Sequence, residues 1–317
     1  MELPLIYKYQ PQRLNDFQMN EEILTLLKTL IDMNTLNILF IGDSGVGKTS
    51  LINAIIRDYY NGHIKEENIL SINNLKEQGI SYYRNEVKTF CQTSSLIVGK
   101  KKILILDDLD IINEQSQQVF RNCIDKYSHN VHFIAACSNS QKVIDSLQSR
   151  MTIIKIHPLS IEHLTKIVNK ICRLENIKLT PEAEKFILSI SNNSVRIVIN
   201  YLEKCKLLNR EINVELADKL CTNIAFKDFI NYTNLCKINK DYKQAIQLIY
   251  KLFDRGYSVM DILDNYFLFV KTTTILTEDE VYKIIPHICK YITIFHNIHE
   301  DEIELALFTN NLIDIFS

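Results

Sequence analysis

The chain has 317 residues, 46% hydrophobic and 23% charged, a balance that excludes a disordered protein and leaves ample length for a core without disulfide or metal staples. Lys and Arg number 36 against 38 Asp and Glu, a formal net charge of −2, so contact with nucleic acid must come from a local patch. No apolar stretch approaches the roughly 18 uninterrupted residues of a membrane span. Met1-Glu2-Leu3-Pro4 has neither the basic start nor the apolar run of a signal peptide, so the expectation is an intracellular protein with no membrane partner.

Apolar runs at Asn37–Ile41, Ile69–Ile72, Ile103–Leu106, Val131–Cys137 and Ile153–Ile156 are strand-length. They are near-continuously apolar, as strands covered on both faces of a parallel sheet are. Helix-period segments at Ser50–Tyr60, Ile80–Cys91 and Glu114–Tyr127 lie between them. The alternation predicts a three-layer α/β domain over residues 1–157. After Pro158 only helical patterns remain. Ser160 caps one to about Glu175, and Thr180 with Pro181 opens a second. A third starts near Ser194 with Val195, Val198, Ile199 and Leu202 on one face. Residues 158–222 therefore read as a small helical domain. Residues 223–317 read as a further all-helical one, with Lys243–Phe253, Val259–Lys271 and Thr277–Phe295 among its helices. The eight cysteines, at positions 91, 123, 137, 172, 205, 221, 236 and 289, are scattered without a CxxC pair, which predicts reduced thiols rather than zinc ligands or a disulfide framework.

Gly42-Asp43-Ser44-Gly45-Val46-Gly47-Lys48-Thr49 follows the first strand and opens a helix at Ser50. This is G-x-x-x-x-G-K-[ST] in its confirming context. Its glycines let the backbone turn N–H groups toward phosphates, and the following helix aims its positive end at them. Lys48 is expected at the β/γ-phosphates of ATP and Thr49 on Mg²⁺. A second strand, Ile103–Leu106, runs into Asp107-Asp108-Leu109-Asp110. Ligands gather at the C-terminal edge of a parallel sheet, so Asp107 is expected at the same Mg²⁺. Asp108 is expected to orient or deprotonate the attacking water.

The surroundings carry a resemblance. Leu3-Pro4-Leu5-Ile6-Tyr7-Lys8-Tyr9-Gln10-Pro11, with Leu14 and Asp16, resembles the "WVEKYRP" opening of clamp-loader small subunits. Gly79-Ile80 with Arg84, Lys88, Thr89 and Phe90 is similar to "RGIDVVRxxIKxF". Asp107-Asp108-Leu109-Asp110 stands at "DEAD", Leu147-Gln148-Ser149-Arg150-Met151 at "LQSRC", and Asn193-Ser194-Val195-Arg196 at "GDMR". Gly256-Tyr257-Ser258 and Asp261-Ile262-Leu263 match "GYS..DIL". Over nearly its whole length the chain resembles a replication factor C small subunit, an AAA+ ATPase of the sliding-clamp loader.

That resemblance implies an AAA+ domain, a helical lid and an all-helical collar that joins subunits in a ring, a hetero-pentamer. Arg150 would be the arginine finger, reaching a neighbour's ATP in trans. Arg196 would be the lid's sensor at the γ-phosphate in cis. Residues Ile6–Pro11, Tyr9 and Pro11 among them, and Phe17–Asn20 would cradle adenine. Asn139 lies in the sensor region, where "TCNYS" reads Ala136-Cys137-Ser138-Asn139-Ser140 and Ser138 takes the place of the Asn. Asp108 replaces a catalytic Glu and Gln10 an Arg, whereas "GDSGVGKT" keeps every phosphate-contacting position of "GPPGTGKT".

In Ile80–Cys91 the stripe Ile80, Tyr83, Val87 and Phe90 leaves Arg84 and Lys88 together on the other face. Two cations at this spacing repel by about 0.2–0.5 kcal/mol unless a polyanion meets them. The resemblance puts this helix, and the segment at Lys142, against the backbone of primer-template DNA. The favoured reading is a clamp-loader subunit that uses ATP to load a sliding clamp at replication sites. An AAA+ initiator or helicase loader, with a winged-helix domain in place of the collar, is one alternative. An architectural ring subunit with little hydrolysis is another.

Overall fold

In the computed structural model, which describes residues 3–72, 83–191, 193–221, 224, 226–273, 275–295 and 299–316, the apolar runs of the first half become strands. These are β1 (Ile38–Ile41), β2 (Ile69–Ile72), β3 (Lys102–Leu106), β4 (Val131–Cys137) and β5 (Thr152–Lys155). They pair in parallel in the order β2-β3-β4-β1-β5. The register sets Ile38 between Ile134 and Thr152, so β1 is enclosed by β4 and β5.

The two-residue period of a strand divides the apolar side chains between two faces. Ile38, Phe40, Ile103, Ile105, Ile134 and Ala136 pack with Leu51, Ile52, Ile55 and Tyr59 of the helix Lys48–Tyr59. Leu39, Leu104, Leu106, Phe133 and Ala135 pack with Phe120 and Ile124 of the helix Glu114–Tyr127. Each such Leu, Ile or Phe side chain removed from water stabilises the fold by roughly 1.5–3 kcal/mol. Helix on sheet on helix is the three-layer arrangement that the alternation predicts.

The structure corrects two expectations and adds one helix. Burial on both faces holds for β1, β3 and β4 but not for β2 and β5, which are the edges of the sheet and leave Ile153 43% exposed. The segment read as one helix from Ile80 to Cys91 instead has a wide π-type turn over Tyr83–Val87 before an α-helix at Lys88–Gln92, and its residues 80–82 lie outside the described ones. A helix not anticipated, Glu21–Asp32, precedes β1, with the Asn20 side chain accepting the Glu22 N–H at its start.

The chain divides into two compact units, residues 1–220 and 221–317. The first holds the sheet together with the helices Ile161–Glu175, Pro181–Ile190, Val195–Leu208 and Val214–Leu220. Ser160 and Thr180 cap two of these through their hydroxyls, which accept the N–H groups of His163 and Ala183. Their shared core, with Leu164, Val168, Val198 and Leu202, also takes in Leu5 from the N-terminal turn Leu5–Lys8.

Among its described residues the second unit has helices and no strand, the helices Phe226–Asn234, Tyr242–Asp254, Val259–Thr272, Glu278–Phe295 and Ile303–Ile315 included. Its core is built on Phe229, Tyr232, Tyr266, Phe269 and Phe308. The buried hydroxyls find partners there: Tyr232 with Thr309 at 2.8 Å, and Tyr266 with Thr233 at 3.1 Å.

Candidate nucleotide site

The ladder between β1 and β4 runs into the glycine-rich loop, where the Gly42 N–H donates to the Cys137 carbonyl at 3.2 Å. Two glycines are required by space as well as by conformation. A Cβ on Gly42 would lie 2.6 Å from the Ile156 carbonyl oxygen. Gly45 has φ +82°, and a Cβ there would lie 2.6 Å from the Ser194 hydroxyl. The loop is thus pressed against the start of the helix Val195–Leu208. Lys48 opens the helix Lys48–Tyr59 and is only 7% exposed. Its ammonium donates to the carbonyls of Gly42 at 2.7 Å and Asp43 at 3.0 Å, which arches the loop over the helix N-terminus.

The carboxylates meet this loop from β3. Thr49 donates its hydroxyl to Asp107 Oδ2 at 3.2 Å, across 58 residues of sequence. Asp107 Oδ1 accepts the Asp108 N–H at 3.2 Å. Asp108 sits in the left-handed region at φ 50°, a conformation that Asp adopts more readily than bulky residues. Burial raises its carboxyl above the ordinary value, and the charges of Asp107 and Asp110 add to this; Lys48 and Arg196 oppose it. Asp110 Oδ2 accepts the N–H groups of Ser138 at 3.1 Å and Asn139 at 3.0 Å, tying the end of β4 to the acidic turn.

Around these groups lies a cleft of about 590 Å³. Tyr9, Pro11 and residues 17–20 line it, with residues 44–50 of the loop, Asp107, Asp108, Ser138 and Arg196. Gly42 and Asp43 do not line it and contribute the carbonyls that hold Lys48. Asn139 does not line it either: its side chain accepts the Gln141 N–H at 2.9 Å and starts a short 3₁₀ turn, so the polar group facing the cleft is Ser138. Tyr9 is fixed by its hydroxyl, which donates to Glu175. Glu175 also pairs with Lys8 at 2.7 Å and Lys206 at 2.9 Å, and these bonds hold its carboxyl down to about 2.

His163, Lys166 and Lys170 of the helix Ile161–Glu175 also line the cleft, and sequence reasoning did not single them out. Their spacing of three and four puts them on one helix face, and that was the available signal. The donor set at Thr49 and Asp107 is hard oxygen, suited to Mg²⁺. Among the described residues no group of three or more His, Cys, Asp or Glu is placed to hold a metal ion.

Other predicted residues lie elsewhere. Arg150 borders a separate cleft of about 480 Å³ that Lys101, Ser149 and Thr152 also line. Its Nε donates to Asp125 Oδ1 at 2.6 Å and its Nη1 to the Ser146 carbonyl at 2.6 Å. Lys88 and Lys142 are exposed, while the Arg84 side chain is outside the described residues. None of the eight cysteines is in a disulfide. Among the described residues no helix is long and apolar enough to cross a membrane.

Residues 38–159 match the family model of AAA, the ATPase family associated with various cellular activities. The chain is 30% identical over 286 residues to a replication factor C small subunit of Methanococcus maripaludis, covering 90% of each chain. It is 32% identical over 205 residues to replication factor C subunit 3 of Saccharomyces cerevisiae, covering 64% of this chain and 60% of that one. Among solved structures, the Thermotoga maritima RuvB Holliday junction branch migration motor shares the fold at a TM-score of 0.53 and 17% identity, over 73% of this chain and 80% of that one.

Proposed function

The chain belongs to the replication factor C small-subunit family and is an AAA+ ATPase subunit of a clamp loader, and from this we propose how its residues divide the work. ATP lies in the 590 Å³ cleft, its phosphates against the loop N–H groups and the N-terminus of the helix Lys48–Tyr59. Lys48 meets the β/γ-phosphates, and Arg196 approaches the γ-phosphate from the lid. Thr49 and Asp107 would hold Mg²⁺, which neutralises charge on the phosphate oxygens when bound. Asp108 orients the attacking water and takes its proton as the oxygen–phosphorus bond to water forms and the bond to ADP breaks.

Arg150 completes the site of a neighbouring subunit, where its charge stabilises the transferring phosphoryl group. The observation that carries this division is the separation of Arg150 from the cleft lined by Lys48, Asp107 and Arg196. ATP bound between subunits would hold the ring in the form that grips an open sliding clamp. Primer-template DNA, meeting Lys88 and Lys142 through its phosphates, would then trigger hydrolysis and release. Such contacts are sequence-independent and weaken with salt. The helical second unit supports this reading over an initiator, for which a winged-helix domain was the expectation.

The test is co-expression with partner subunits and measurement of ATPase activity with and without clamp and primed DNA. Stimulation by both is expected. A complex that primed DNA stimulates and the clamp does not would overturn the assignment of the clamp as partner.

A further inference from the structure

We propose that Asp125 is a positioning residue for hydrolysis at the neighbouring subunit's nucleotide, acting by holding the guanidinium of Arg150 in its working orientation. The inference rests on the reading of Arg150 as a finger in trans. An arginine has several rotatable bonds, and a finger free to rotate must be ordered again at every turnover. Arg150 is one-third exposed, so packing alone does not order it.

Hydrogen bonds do, two of them short and a third, from Nη1 to the Ser149 hydroxyl, longer at 3.4 Å. Asp125 takes the Nε–H at 2.6 Å, and the Ser146 carbonyl takes Nη1 at 2.6 Å. These anchors come from two elements, the last turn of the helix Glu114–Tyr127 and the short helix Asp145–Gln148. The first is seated on the sheet through Phe120 and Ile124, 0% and 4% exposed, and the second through Leu147, which is fully buried. A planar guanidinium held at Nε and Nη1 has its remaining orientation set, and Nη2 becomes the edge offered to an incoming anion.

The carboxylate is ionised for this task. The bond from Arg150 holds its carboxyl below the ordinary value, and the Arg121 charge contributes. Both partners are substantially exposed, at 34% and 45%, and pairs of that kind add little to folding stability. The contact therefore matters through geometry, and its removal leaves the fold alone.

The experiment uses the assembled complex, this chain with its partner subunits, with ATP turnover confined to the site that Arg150 reaches. Asp125→Ala is expected to lower kcat there about tenfold, short of the hundredfold that a 1 Å misplacement can cost. KM for ATP should stay within twofold and the melting temperature within about two degrees. Asp125→Glu should restore most of the rate. In an Arg150→Ala background, Asp125→Ala should change nothing further, because the two act as one unit. Turnover at or above the parent level in Asp125→Ala would overturn the proposal while leaving the finger intact. So would a loss that persists when Arg150 is already absent. If Arg150→Ala itself left turnover unchanged, the finger reading would fail first and this inference with it.

Discussion

Lys48 has two duties at the scale of a single residue. On the proposed reading it supplies charge for the phosphates, and its ammonium bonds to the Gly42 and Asp43 carbonyls that shape the loop. Lys48→Ala is expected to abolish tight ATP binding while leaving the melting temperature within a few degrees, because the strands and helices around the loop are packed by other residues. Equal ATP affinity in mutant and parent, read by calorimetry, would remove the phosphate-loop assignment. His132 makes a second prediction. It is 1% exposed, accepts the Leu36 N–H at Nδ1 and contacts Asn34 at 3.0 Å through Nε2. Burial pushes its imidazole down to about 3, with the charges of Lys101 and Lys100 helping. Between its ordinary value near 6.5 and that value the unfolded chain binds a proton that the folded chain does not, so stability falls as pH falls through this window. The loss from pH 7 to pH 5 should be about 2 kcal/mol by urea unfolding. In His132→Gln that slope should be largely gone; a slope unchanged by the substitution would assign it to other groups.

At the scale of elements, two contacts that sequence reading could not supply bring the helices after β5 to the cleft. Gly45 leaves no room for a side chain beside Ser194 at the start of Val195–Leu208, and Tyr9 of the N-terminal segment donates to Glu175 at the end of Ile161–Glu175, 166 residues away. The phosphate loop was legible because strand, glycines, lysine and helix are consecutive, and their chemistry is local. Asp107 was legible for a similar reason, as a carboxylate at the end of an apolar run. Glu175, Asp110 and Asp125 were not, since an acidic residue on a helix or in a turn usually faces water and only the fold decides which cation or N–H it meets. The edge strands escaped for the same reason: composition reports that a run is apolar, not that it lacks a neighbour. Gly45→Ala is expected to lose ATP affinity by tenfold or more. A left-handed φ costs an L-residue roughly 1–2 kcal/mol, and the added methyl displaces Ser194 as well. Glu175→Gln, which keeps the shape and removes the charge, should weaken ATP binding severalfold by releasing Tyr9, Lys8 and Lys206 together. Unchanged ATP affinity in Glu175→Gln would mean that Tyr9 is held well enough by the packing of Leu5.

Taken as a whole, the molecule presents its chemistry on two separate surfaces. Lys48, Thr49, Asp107, Asp108 and Arg196 gather at the cleft at the C-terminal edge of the sheet, while Arg150 borders the other cleft, paired with Asp125. On the proposed reading, one chain binds ATP with a set that lacks the finger and carries that finger on another surface. The expected consequence is an isolated chain that binds ATP and hydrolyses it feebly. A finger supplied in trans is worth about 10³–10⁵ in rate where it has been isolated, and that range is the ceiling for the gain on assembly. On the proposed reading, the Asp108 side chain, one methylene shorter than the Glu of the motif it resembles, should keep the assembled rate below that ceiling. The decisive comparison is single-turnover hydrolysis by the purified chain and by the complex, at saturating ATP so that differences in affinity drop out. Arg150→Ala in this chain should leave its own ATP binding unchanged and lower turnover at the neighbour's site alone. A purified monomer that turned ATP over at the rate of the complex would show that its own cleft is catalytically whole, and the division of labour between subunits would have to be abandoned.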